Sequence, residues 1–205
     1  MSGKIQYPII MTEDRQIDSL INNDLIRKMT SNKDATKPID STLLQWAGDQ
    51  LTYLSFEVTY NKKGILSLRT FGEACGAYCS NWTEYFNYST TSGKPLSIAS
   101  VIEIKDEFKE SILTKIESEY EQQQKELKER LDGKNTTLDE RTYNWVLEEY
   151  EKCQENFQLR TFALYNDHLE IIDECSLPHA IRSMGILSQL EYPYREINEY
   201  LKIRL

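Results

Sequence analysis

Histidine is nearly absent from this 205-residue chain, which has two, His168 and His179. A nucleophilic site built on an imidazole base therefore has few places to stand. Cysteine is scarce too. Cys75, Cys79, Cys153 and Cys175 are too few for a disulfide scaffold at this length, so reduced thiols are the default expectation. Basic residues are in deficit, 24 against 33 acidic, giving a net charge of −9 and a pI near 4.9. That balance disfavours nucleic acid, which asks for a basic footprint. No window approaches the roughly 18 apolar residues of a membrane span. The opening MSGKIQYPIIM lacks the long apolar core of a signal peptide, so the chain as it stands is expected in the cytosol; a trimmed exported protein would look the same. There is no Gly-rich phosphate loop, no H-E-x-x-H, no G-x-S-x-G and no dinucleotide fingerprint, and no cofactor is expected.

What is present is a globular composition, 40% apolar with thirteen tyrosines and three tryptophans. Ile17, Leu20, Ile21, Leu25 and Met29 recur at helical spacing and predict a helix over 13–29, followed by a loop over 31–40. Leu54, Phe56, Val58 and Tyr60 alternate with polar residues and predict a half-buried strand, turned at 61–64 into ILSLRTF as a β-hairpin. TEYFNYST predicts a third strand, and Ser92-Gly93 turns the chain into KPLSIASVI as an antiparallel neighbour. A long helix is expected over 104–131, its last turns projecting into solvent. Thr137 to Glu140 has the form of a capping box opening a second helix, with Tyr143, Leu147 and Tyr150 on one side. Strands are expected over 157–165, from His168 and over 186–190. SLPHAIRSMG is expected as a loop, and a closing helix from Pro193 should bury Ile197 and Leu201. The blocks imply an α+β fold, helices packed on an antiparallel sheet, with a long acidic helical hairpin. Residues 101–156 hold 16 acidic and 9 basic residues, a net of −7, so most of the chain's charge sits on that hairpin. Such a run is either a plain solvated face or an acidic docking face for a basic partner.

Candidate chemistry is sparse. His168 reads as an exposed turn residue. Cys175 and His179 would make a thiol–imidazole dyad, and Cys75, Cys79, Cys175 and His179 would supply the ligand count of a structural zinc site if their loops meet. Ordinary thiols, or a Cys75–Cys79 disulfide in an oxidising compartment, are the competing readings. Carboxylates are plentiful on helices, but nothing in the sequence brings two into a cleft.

Several segments carry a resemblance. YPII with Ile21-Asn22 downstream, CGAYCSNWTEYFNYSTTSGKPLSIASVI, and then FQLRTFALYNDHLEII, PHAIRSMG and YPYREINEYL look like the extracytoplasmic domain family of the lysozyme-sensing anti-sigma factor RsiV, also found in the peptidoglycan deacetylase PdaC. The likeness spans nearly the whole chain. It implies a bacterial α/β or α+β module that binds other molecules and makes no bonds; the length itself suits a single domain over 1–205 or two intertwined halves, 1–92 and 93–205. The sequence departs from the family at Tyr78, where His is frequent, and in the flanking Cys75 and Cys79. It carries neither the anti-sigma factor's membrane helix nor a Thr-Phe-Asp-Asp-Gly deacetylase motif. Gly76, Ala77, Tyr78, Asn81 and Trp82, in a stretch with two charges over 27 residues, suit a recognition loop, because Tyr and Trp give large contact area at low entropy cost. His179 and Arg182 join them as candidate contacts, while Trp82, Tyr85, Phe86 and Tyr88 read rather as core or sheet-face residues, leaving Tyr78 and Asn81 as the better contact candidates. The leading expectation is a protein that blocks a basic toxin or enzyme, as an immunity protein does. The alternatives are an envelope domain binding lysozyme or peptidoglycan, and a hydrolase of another kind.

Overall fold

Lys63 and Gly64 lie in the left-handed region, at φ 53° and 77°. Two such residues make a hairpin turn whose twist matches that of the flanking strands, and here it joins β1 (Leu51–Lys62) to β2 (Ile65–Cys75). The computed structural model describes residues 5–30, 39–48, 50–133 and 138–205. The fold is α+β, with two three-stranded sheets in place of the one expected. The chain divides into two compact units, Met1–Ser97 with Ala163–His168 and Ile203–Leu205, and Ile98–Phe162 with Leu169–Lys202.

In the first unit β2 also pairs antiparallel with β3 (Cys79–Ser89), in register from Ile65 opposite Ser89 to Cys75 opposite Cys79. The helix α1 (Arg15–Met29) starts at Asp14, whose carboxylate accepts from the Gln16 and Ile17 amides and satisfies two orphan donors. Its Ile21 and Leu25 close over Leu66, Leu68, Phe86 and Tyr88 to form the core. Each such side chain contributes roughly 1.5–3 kcal/mol by leaving water. The Tyr88 hydroxyl donates to Asp24 at 3.0 Å, and Asp24 also pairs with Lys28.

Three expectations change here. Leu54 and Tyr60 are buried as the alternation required, but Phe56 and Val58 are 38% and 44% exposed. β1 is an edge strand, and a register shift between Val58 and Tyr60 breaks the period of two and buries Thr59 as well. The expected loop gives way at Ile39 to a helix, α2 (Ile39–Gly48); residues 31–38 lie outside the described part. KPLSIASVI adds no fourth strand. Pro95, lacking an amide hydrogen, makes one isolated bridge with Tyr88, and the chain enters a single helical turn, α3 (Ile98–Val101).

The second unit is built on α4 (Asp106–Leu131) and α5 (Glu140–Glu155) with most of a sheet ordered β4 (Thr161–Leu164), β5 (His168–Cys175) and β6 (Ile186–Pro193), of which Ala163, Leu164 and His168 fall in the first unit. Phe108, Ile112, Ile116 and Tyr120 recur every fourth position on α4 and form its buried stripe. Tyr120 meets Tyr150 of α5 edge-on at 5.6 Å, and the Tyr150 hydroxyl donates to the Met184 carbonyl at 2.6 Å. Leu127 is also buried, so the end of α4 does not project freely as expected. Thr137, of the expected capping box, lies outside the described residues; the cap is Asp139, accepting from the Thr142 amide at 2.7 Å. SLPHAIRSMG, expected as a loop, forms a 3-10 helix over His179–Met184. The expected closing helix is instead two turns, Glu196 N to Pro193 O and Tyr200 N to Ile197 O, both 2.9 Å; Ile197 is still buried, and Leu201 bridges Ile102.

The default of reduced thiols fails. Cys75 pairs with Cys79 and Cys153 with Cys175 in two disulfides, leaving no free cysteine. The second links α5 to the end of β5.

Candidate functional site

The β2–β3 hairpin closes on three residues, Gly76, Ala77 and Tyr78, between the bonded Cys75 and Cys79. Gly76 N donates to Tyr78 O at 3.0 Å and Cys75 N to Gln50 O at 2.9 Å, so the tip is tied both to itself and to the residue preceding β1. A side chain on Gly76 would meet only the flexible end of Gln50, whose Oε1 lies 2.7 Å from the added carbon and can swing aside. Thr52 Oγ1 donates to Glu73 Oε1 at 2.6 Å beneath the bridge. On this fixed base Tyr78 is 70% exposed, and Asn81 is exposed beside it.

Trp82 follows, opposite Gly72. A Cβ on Gly72 would come within 2.1 Å of the Trp82 ring, so the missing side chain is what lets the indole lie across β2. Trp82 and Glu84 are two apart on β3 and share a face. That face opens into a cavity of about 180 Å³, walled by Trp46 of α2, Met29 of α1, and Leu51 and Leu54 of β1 with Ala74 of β2. Among the described residues that line it, Glu84 is the one that carries a charge. Burial pushes the Glu84 carboxyl above the ordinary carboxylate range, and among the described residues no hydrogen bond or ion pair reaches it. Its cross-strand neighbour Thr70 is fully buried with an unpartnered hydroxyl. The Tyr7 hydroxyl, whose ring lies 6.5 Å from that of Trp46, is unpartnered as well.

The five loop residues named from sequence thus fall on one end of one hairpin. Phe86 and Tyr88 are core, whereas Trp82 is 36% exposed and lines the cavity. His179 and Arg182 are exposed on the 3-10 helix of the second unit. His168, expected as an exposed turn residue, is largely covered. Its ring stacks on Tyr165 at 4.5 Å, and its Nδ1 contacts Asp167 at 2.8 Å, holding the Asp167 carboxyl below its usual range.

Cys175 is buried in its disulfide, so neither the Cys175–His179 dyad nor the zinc set of Cys75, Cys79, Cys175 and His179 has a thiolate to offer. Among the described residues no cluster of histidine, cysteine and carboxylate side chains could hold a metal, and no helix is long and apolar enough to cross a membrane.

The second unit offers a different surface. A groove between α4 and the start of β6 runs along Glu119, Glu121 and Gln122 on one side and Ile186 and Leu187 on the other. Close by in charge, Asp173 of β5 is pushed above its ordinary pKa by burial, and then by Glu119 and Glu174.

Sequence reasoning missed Trp46, Met29 and Glu84, which converge only when helices and sheet fold together. One signal was available: Gly72 inside an otherwise regular strand marks a close approach, and the hairpin register carries Trp82 to it.

No family model matches the chain, and no curated protein matches it. Solved structures do. The fold is similar to that of a DUF3298 family member from Bacteroides fragilis NCTC 9343, at TM-score 0.58 and 14% identity, covering 95% of this chain and 81% of that one. A DUF3298 family protein from Pseudomonas aeruginosa PAO1 was also found, at TM-score 0.49 and 16% identity over 92% and 81%. The first match shows a shared fold. DUF3298 domains are related to the RsiV and PdaC type of domain, so the resemblance in the sequence is supported at the level of fold.

Proposed function

We propose that this chain is a non-catalytic binding module of the cell envelope, which captures a lysozyme-type basic enzyme with the Tyr78 end of its first sheet. The observation that carries this reading is the pair of disulfides. Such bonds persist in oxidising compartments and are rare in the cytosol. They favour an envelope role over a cytosolic immunity protein, though either would work by occluding a partner surface. The tip is built as a recognition element should be: bridged, hydrogen-bonded to Gln50, and presenting Tyr78 without many mobile charges. The acidic α4–α5 pair supplies a field that speeds encounter with a basic enzyme.

Calorimetric titration with a lysozyme and, separately, with soluble peptidoglycan fragments tests this. Saturable 1:1 binding of the enzyme, weakening steeply between 50 and about 200 mM salt, is expected. No heat from either ligand at roughly 100 µM would overturn the proposal.

A further inference from the structure

The cavity beneath Trp82 has a composition that packing alone does not explain. Two indoles, Met29, Leu51, Leu54 and Ala74 would make a sound apolar pocket, yet it contains Glu84. Among the described residues Glu84 has no counter-charge, and a half-buried carboxylate left so weakens the fold. Its neighbours add to the imbalance, since Thr70 and Tyr7 each bury a hydroxyl without a partner. Such a carboxylate is explained if a cation completes it in the bound state.

Size narrows the class of ligand. Pockets for drug-sized molecules run from about 300 Å³ upward, and an apolar cavity of about 150 Å³ takes one benzene-sized group. At about 180 Å³ this one fits a single side chain. The lining narrows it further. Aliphatic walls suit a methylene stem, tryptophan faces attract a cation, and a lone carboxylate pairs with a planar guanidinium better than with a compact ammonium. The cavity also lies at the end of the sheet that carries Tyr78, because Ala74 and Trp82 flank the bridged tip on β2 and β3.

We infer that this cavity is the anchoring subsite for one arginine side chain of a partner protein, its stem against Leu51, Leu54 and Met29, its guanidinium on the tryptophans and paired with Glu84. The inference deepens the binding reading above and rests on it for the partner, while the subsite itself is testable alone. Arginine is among the residues that dominate interface hot spots when they fill such pockets, which makes one cavity sufficient to set register on the partner.

The test uses acetyl-Gly-Arg-Gly-amide, its neutral isostere acetyl-Gly-citrulline-Gly-amide, and free n-butylguanidinium, each titrated into the whole disulfide-bonded chain. The readout is the indole N–H resonances of Trp46, Trp82 and Trp145. Trp145, on α5 in the second unit, is the internal control. Saturable shifts of Trp46 and Trp82 with the arginine peptide, about tenfold weaker with citrulline, and a clearly narrower gap between the two peptides in Glu84→Gln, support the subsite. Three results overturn it: no saturable shift by roughly 50 mM peptide, equal affinity of the two peptides for the unaltered chain, or Trp145 moving with the others. Binding of n-butylguanidinium without the peptide would overturn the protein-borne source. Glu84→Gln should melt at or above the unaltered chain, so loss of discrimination cannot be a loss of fold. Arginine-peptide binding in a chain that ignores lysozyme would sink the choice of partner and leave the subsite standing; lysozyme binding unchanged by Glu84→Gln would do the reverse.

Discussion

The two units of this chain carry opposite surfaces. The first presents rings on a sheet end, with Tyr78 and Trp82 exposed and, among the described residues, one carboxylate in the cavity between strands and helices. The second carries most of the net charge on α4 and α5, and the groove beside α4 is lined in part by Glu119, Glu121, Gln122 and Gln123. Aromatic area works at contact distance, whereas charge works across about a Debye length, roughly 8–10 Å in physiological salt. A binding module that needs both long-range attraction and a defined seat gains by keeping them on separate surfaces, since charge close to an apolar pocket would raise its desolvation cost. The bridges follow the same division. Cys75–Cys79 fixes a tip, while Cys153–Cys175 spans 22 positions and fixes a fold.

The largest expected effect separates those bridges. Replacing Cys153 and Cys175 by alanine should cost about 3 kcal/mol, and replacing Cys75 and Cys79 about 2 kcal/mol, by loop-closure entropy. Lysozyme affinity should fall in the opposite order, the tip pair mattering more. Calorimetric melting beside binding titrations checks this, and a second-unit pair that controls affinity would contradict the division of labour. Next comes Gly72→Val, which drives a side chain into the Trp82 ring and should cost about 2 kcal/mol; denaturant midpoints with tryptophan fluorescence would show both the loss and the displaced indole. Tyr150→Phe removes the hydrogen bond to the Met184 carbonyl and should cost about 1 kcal/mol, an effect confined to the second unit.

The smallest effects carry a sign. Glu84 and Asp173 both have folded pKa values raised by burial. Their favourable contribution is complete below the ordinary carboxylate pKa, where both states are protonated, and is lost as pH rises through the raised value. At neutral pH each is a poorly solvated charge. Glu84→Gln and Asp173→Asn should therefore raise the melting temperature by about 1–3 °C near pH 7, with the gain vanishing near pH 4. A drop at pH 7 would mean that the carboxylate has a partner in the folded chain.

Local pattern made much of this fold legible. The stripe of α4, the core residues of α1 and the hairpin turn at Lys63-Gly64 follow from spacing and turn chemistry alone. The misses arise where tertiary structure overrides pattern. Phe56 and Val58 alternate correctly but sit on an edge strand that ends its alternation in a bulge, and Pro193 starts turns pinned by Ile197 rather than a helix. Four cysteines read as too few for a scaffold, yet the register that sets Cys75 opposite Cys79 cannot be counted from composition. Of the candidate site, the tip was legible as an uncharged aromatic stretch; the cavity was not, because Met29, Trp46 and Glu84 are brought together from three separate elements.

The central claim is that recognition happens at the Tyr78 end of the first sheet, by contact and without chemistry. Calorimetric titration of lysozyme into the unaltered chain and into Tyr78→Ala tests it most directly. The account predicts at least tenfold weaker binding for Tyr78→Ala, a loss of about 1.4 kcal/mol or more, with the melting temperature unchanged. Equal affinity of the two proteins for the enzyme would contradict it.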